Sequence, residues 1–413
     1  MRAGGAVALR PVPFPCRAML AIANDVDEAA WDDFSQLHDF LNGCDPTPLG
    51  GGLGLEIGDS FFFYATSSPD KRSTFSYFDG VNPDRRMPWA GQMDALIEAG
   101  YLDSLHSWGD FSRTGGFTRG LAESAAEVLR RRPVTVWINH GDARNEQMAG
   151  RPGWDDPAAP HGHADVAIAS GLRYFWTGAL TSTIGQDAVE GWAERLNASR
   201  LLNDFARPLK RIAARDTNIV RYFGNRLMVP ASAAGRTIQV FQRYGAWDKP
   251  TALDLEDVLS SVVLDGLESR GGFMIVYTHL FRRPAGMPLD RVDWSPIADL
   301  ARRHRAGTMH VTTTSRLLAY ADMRANVAWD ARPNAGGVDI HVSSRGAHDL
   351  QGLTFYVPDA RRASVTIDGD AVTVERNPPD HTGRPSVTIP WRPLRWRSLA
   401  PAAPYRLAAG AAL

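Results

Sequence analysis

The stretch AMLAIANDVD, residues 18–27, decides how this chain is read. Six small or aliphatic residues run without a break and then give way to Asn24, Asp25 and Asp27. An apolar run this short, closed by polar residues, fits a strand covered on both faces. Similar runs recur: GLGLEIGDSFFFYA (52–65), LDSLHSWGDF (102–111), PVTVWINHGD (133–142), GLRYFWTG (171–178), GGFMIVYTHL (271–280) and GTMHVTTTS (307–315). Between them lie segments whose apolar residues return every three or four positions, the spacing of an amphipathic helix: 31–43, 90–100, 119–132, 255–270, 294–307 and 313–326. Gly43, Gly100 and Gly307 stand where a left-handed cap would end three of them. Strands alternating with helices predict an α/β fold, either barrel-like or doubly wound about a parallel sheet.

Past residue 325 the rhythm changes. VDIHVSS (338–344), LTFYVP (353–358), ASVTIDGDAVTVE (363–375) and PSVTIPW (385–391) are short alternating segments punctuated by Pro, Gly and Asp. They predict a small all-β sandwich over 326–413, following an α/β domain over 1–325. The aromatic, polar stretch IQVFQRYGAWDKPTALDLED (238–257) reads as a long loop near the active face.

Charge excludes several classes of partner. Lys plus Arg number 45 against 46 Asp plus Glu, so there is no electrostatic case for nucleic acid or an anionic membrane surface. No apolar run approaches the ~20 residues of a membrane span. Prolines interrupt the opening MRAGGAVALRPVPFPCRAMLAIAND before an export signal forms. Two cysteines, Cys16 and Cys44, are too few for a disulfide scaffold and fit a reducing compartment, so a cytoplasmic location is expected.

In parallel sheets functional side chains gather where the strands finish. Asp25 and Asp27, two apart on extended chain, point to one side, and two like charges there call for a cation. Taken alone, either also reads as a cap for the helix that follows. His106 and Asp110, in HSWGD, add an imidazole and a further carboxylate, completing a donor set suited to Zn²⁺ or another divalent transition metal. Taken alone, that pair also reads as a polar loop. His140 and Asn145 follow a third strand and read as substrate-binding groups of the active-site wall, or as loop-stabilising residues; His279 follows a late strand and reads as a proton donor, or as a buried histidine bonded to backbone. His163 is a candidate substrate contact, or with His161 a weaker metal pair, and Trp108 a candidate platform for a sugar face or a core residue.

The ordered set Asp25-Val26-Asp27, HSWGD, WINHG and YTHL resembles the polysaccharide deacetylase superfamily, the NodB-homology or carbohydrate-esterase type, across roughly residues 15–322. That resemblance implies a distorted (β/α) barrel holding a divalent metal, commonly zinc. It implies Asp25 as general base, Asp27 and His106 as metal ligands, His279 as general acid, and His140 in the wall of the substrate groove. Two departures stand out. The first motif has Asp-Val-Asp where many members have adjacent aspartates, and Asp110 occupies the place of the second ligand histidine, so the metal would see one imidazole and two carboxylates.

The expected activity is therefore metal-dependent removal of an N-acyl group, N-acetyl above all, from a sugar or sugar-containing substrate. Two alternatives stand beside it: a deacylase of a non-sugar amide, and a carbohydrate-binding protein on a decayed deacetylase barrel. The expected partner is a carbohydrate or an N-acylated small molecule, with the β-rich tail read as a surface for domain packing or homo-oligomer assembly.

Overall fold

A computed structural model describes residues 7–65, 75–111, 115–141, 145–188, 223–344 and 349–399. The start of the opening segment, part of the 180–270 region and the end of the tail lie outside them. The fold is mixed α/β, centred on one large curled sheet. Its strands are β1 (Ala18–Asn24), β2 (Asp59–Phe61), β3 (Leu102–His106), β4 (Val136–Ile138), β5 (Tyr174–Trp176), β6 (Leu180–Thr181), β7 (Met228–Ala233), β8 (Arg236–Phe241), β9 (Arg243–Tyr244), β10 (Gly272–Thr278) and β11 (Met309–Val311). They lie in the order β6-β9-β10-β1-β2-β3-β4-β5-β8-β7, with β11 alongside the first half of β1.

All seven residues of β1 are buried, as its unbroken apolar run requires. Alternation divides them between two faces. Ala18, Leu20 and Ile22 pack with the helices in one hydrophobic cluster, while Met19, Ala21 and Ala23 join a second that also contains Ile138, Trp176 and Ile275. β1 pairs in parallel with β10 along its whole length and meets β2 at its last residue, Asn24 opposite Asp59. β2 continues to β3 and β3 to β4, again in parallel, so the carboxyl ends of five neighbouring strands face the same way.

The stretch expected as a loop near the active face is largely strand at its beginning. β8 pairs with β5 and β9 pairs with β10, so the segment 236–244 borders strands from the two halves of the curled sheet. Helix caps divide: Gly100 and Gly307 are left-handed at φ 83° and 70°, whereas Gly43 is extended at φ −75°.

Among the helices, the one over Thr314–Asn326 contributes Leu317, Leu318, Tyr320 and Met323 to the second cluster, together with Val338, Ile340 and Phe355 of the tail. The tail itself forms two four-stranded sheets. One joins Ala328–Asn334, Gly337–Ser343, Ala363–Ile367 and Asp370–Ala371; the other joins Ala8–Leu9, Thr354–Tyr356, Ser386–Thr388 and Glu375–Asn377. In Gly337–Ser343 only Val338, Ile340 and Val342 are buried, the alternation the sequence displays. A strand at residues 8–9 thus completes a sheet of the tail, and Arg10 ties it down by donating to Asp380. Among the described residues no helix is long and apolar enough to cross a membrane, and Cys16 and Cys44 are both free.

Candidate metal centre

Five strand ends deliver the polar groups. Asp25 and Asp27 follow β1, His106 is the last residue of β3, His140 lies two residues past β4, Arg243 opens β9, and His279 follows β10. All are buried. The Asp27, His106 and His140 ligand atoms lie within 4.8 Å of one another, and so do those of Asp25, Asp27 and His279.

The backbone is bent to make this convergence. Ser107 adopts φ 53°, a left-handed conformation that β-carbon-bearing residues rarely take, and so turns the chain directly after His106. Its N–H donates to Ile138 O at 2.8 Å, and its hydroxyl accepts the His140 N–H at 3.1 Å, which stitches the ends of β3 and β4 together. Glu28, at φ 65°, does the same turning directly after Asp27. Gly109 packs where a β-carbon would stand 2.5 Å from Tyr64 O, and Gln147 accepts the Trp108 and Gly109 N–H groups. HSWGD is therefore no free loop: Gly109–Asp110 pairs in parallel with Tyr64–Ala65.

Asp25 is held by Arg243, which donates from Nη1 and Nη2 to its two oxygens at 2.9 and 3.0 Å. The guanidinium itself lies against two rings that pack on each other, 3.5 Å from the Trp176 ring centre and 4.5 Å from that of Tyr277. Asp27 receives imidazoles instead: His140 Nε2 at 2.8 Å on one oxygen and His279 Nε2 at 3.1 Å on the other. Burial alone would raise both carboxyls. For Asp25, Arg243 and the neighbouring histidines outweigh it, and for Asp27, His140 and His106 do, so both lie below the ordinary carboxylate range. Burial dominates at His106, whose imidazole is pushed down to about 4 although Asp25 and Asp27 pull it up.

His106 tests whether these residues suit a metal. Its ring nitrogens stand 3.9 Å from Asp25 and 3.9 Å from Asp27, beyond hydrogen-bond reach, and its buried Nδ1 has no partner among the described residues. A neutral imidazole aimed between two carboxylates and bonded to neither fits a cation as its missing partner. One Arg against two carboxylates leaves a net negative charge that such an ion would offset.

The structure brings Asp25, Asp27, His106 and His279 together and places two other residues differently from the sequence expectation. His140, expected in the groove wall, lies with Asp27 and His106 in a group that could hold an ion; Asp110, expected as a ligand, stands outside both such groups, 3.6 Å from His140 Nδ1. Asn145 donates to the His140 carbonyl and so braces the loop. Trp108 and His163 are fully buried in an aromatic packing group with Trp137, at ring separations of 5.6 and 5.5 Å. Their placement is that of core residues, and His163 Nδ1 bonds the His161 carbonyl.

Sequence reasoning missed Arg243, which sat within the stretch taken as a loop; its signal was a basic residue two places past the strand-like IQVF. It also missed a buried chain behind the site. Asn24 accepts from the Leu280 N–H and donates to Asp59 Oδ2, the same oxygen faces His38 Nε2 at 2.9 Å, and Asn42 contacts His38 Nδ1. This chain fixes the β1 end against the residue following His279. Comparison with models of known protein families, with curated proteins and with solved structures finds no match.

Proposed function

We propose that this protein is a metal-dependent hydrolase that removes an N-acyl group, N-acetyl above all, from a sugar or sugar-containing substrate, on a distorted (β/α) barrel of the polysaccharide deacetylase type. The observation that carries the reading is the meeting, at neighbouring strand ends, of a three-donor set with a separate carboxylate and a separate histidine. The curled sheet bordered on two sides by 236–244 supports the barrel.

Asp27, His106 and His140 would hold the ion. One carboxylate with two imidazoles, leaving a position open, suits Zn²⁺ better than the two-carboxylate set read from the sequence. When bound, the ion supplies a Lewis acid that polarises the acyl carbonyl and lowers the pKa of water. The residues of the chain do the rest. Asp25, kept ionised by Arg243, takes a proton from the water whose oxygen attacks the acyl carbon. As the C–N bond breaks, His279 gives a proton to the departing nitrogen, which leaves as a neutral amine rather than an amide anion. Arg243 acts through Asp25: its two bonds orient the carboxylate and leave the outer face of Oδ2 toward His106 and His279, each 3.9 Å away.

The test is elemental analysis of the purified protein joined to acetate release from N-acetylated sugars, nucleotide sugars and oligosaccharides. About one tightly held divalent ion per chain and acetate release that Asp25→Asn abolishes are expected. Equal release by wild type and Asp25→Asn would remove Asp25 as the base; neither metal nor acetate would end the proposal.

A further inference from the structure

Among the described residues Trp247 is the single exposed Phe, Tyr or Trp ring, at 60 % exposure, while Trp108, Trp137 and Trp176 are buried. Hydrophobic burial would ordinarily draw an indole inward. Trp247 is instead seated at the surface against two buried rings. Its ring lies 5.6 Å from that of Trp176 and 5.5 Å, edge to face, from that of Tyr277, and a β-carbon on Gly178 would meet it at 3.8 Å. Tyr277 in turn lies 5.2 Å, edge to face, from His279.

The segment carrying Trp247 is anchored at both ends to the reacting groups. On one side Arg243 binds Asp25; on the other, the Pro250 carbonyl accepts the His279 N–H, and Thr251 bridges to His279. Between them Gly245, at φ 145°, lets the chain pass against Tyr277, where a β-carbon would stand 3.4 Å from the Tyr277 side chain. The ring is thereby positioned relative to Asp25 and His279 before any ligand arrives, which lowers the ordering cost of binding.

We infer that Trp247 is a stacking platform for a pyranose ring of the substrate, placed beside the acyl-bearing unit. This deepens the proposed function and rests on it for the identity of the bond cleaved, though not for the binding itself. A pyranose presents an apolar C–H face that covers an indole while its hydroxyls stay in water, so a flat, half-exposed ring packed from behind suits it. A flexible acyl chain would gain from an enclosed apolar pocket, which an exposed ring does not offer.

The probe is an N-acetylglucosamine tetrasaccharide titrated calorimetrically into chelator-treated protein, so that binding is read without turnover. Trp247→Ala is expected to bind it roughly tenfold more weakly and Trp247→Phe to keep most of the affinity. Circular dichroism and zinc stoichiometry of both variants should match wild type, since the ring is exposed and outside the donor set. Equal affinity of Trp247→Ala and wild type, or no saccharide binding by wild type, would overturn the inference. So would choline binding that Trp247→Ala abolishes in the absence of saccharide binding, which would make the ring a cation–π site. Saccharide binding that needs Trp247, from a protein that releases no acetate, would uphold the platform while ending the hydrolase reading.

Discussion

Replacing Arg243 by Met removes what is, among the described residues, the one cation bonded to Asp25 and keeps an unbranched side chain against Trp176 and Tyr277. Asp25 is 2 % exposed, so its carboxylate would be stranded away from water. Breaking a buried ion pair by removing one partner costs about 3–5 kcal/mol. The two donated bonds agree with that figure, at about 1.5–3 kcal/mol for each bond to a charged group. A loss of about 3–5 kcal/mol in unfolding free energy at neutral pH is therefore expected, read from urea titrations of chelator-treated protein. The pH dependence carries a definite sign. The folded Asp25 pKa lies below its ordinary 3.8, so the stability it contributes is present above that value and is lost as pH falls through the folded pKa. The gap between wild type and variant should be widest near neutrality and close in acid. Combining Arg243→Met with Asp25→Asn removes the stranded charge and should recover much of the loss. A single-variant cost under about 1 kcal/mol, or losses that simply add in the double variant, would refute the argument.

His140→Ala should lose the tightly held divalent ion, whereas Asp110→Asn, which alters a carboxylate outside both donor groups, should keep it at close to wild-type affinity; zinc titration against a chromophoric chelator separates the two. Equal losses would return Asp110 to the donor set. Asp103, buried against Ser104 and the Ser315 N–H, is pushed up to about 6, burial outweighing its hydrogen bonds. Its raised pKa favours the folded state below about pH 3.8, and that contribution fades as pH rises to about 6. Asp103→Asn, which mimics the protonated form, should therefore gain about 3 kcal/mol relative to wild type between pH 3.5 and 7 in urea melts. A difference that does not change with pH would refute that.

Strand-end residues were legible because one rule covers them: an apolar run that stops at polar residues places those residues at the mouth of a parallel sheet. Asp25, Asp27, His106 and His279 all follow from it. The same rule could not rank His140 above Asp110. Both lie past a strand end, and the choice depends on Ser107, whose left-handed turn ties the β3 end to the β4 end and carries Asp110 into a pairing with Ala65. Trp108 and Trp247 show the same limit, since both are indoles in polar surroundings of sequence, one fully buried and one exposed.

What the chain order alone determined, then, was local: the alternation of strand and helix, the β-rich tail, and which side chains stand where a strand gives out. Those are set by periodicity within a few residues, because a side chain's direction follows from its own backbone. Which strand ends become neighbours was decided only by the tertiary structure. Asp25 and Arg243 are 218 residues apart and share two hydrogen bonds because the sheet curls until 243–244 lies beside β10. Contacts between strands depend on sheet order and curvature, and these arise from packing across the whole core, which no short window of sequence contains.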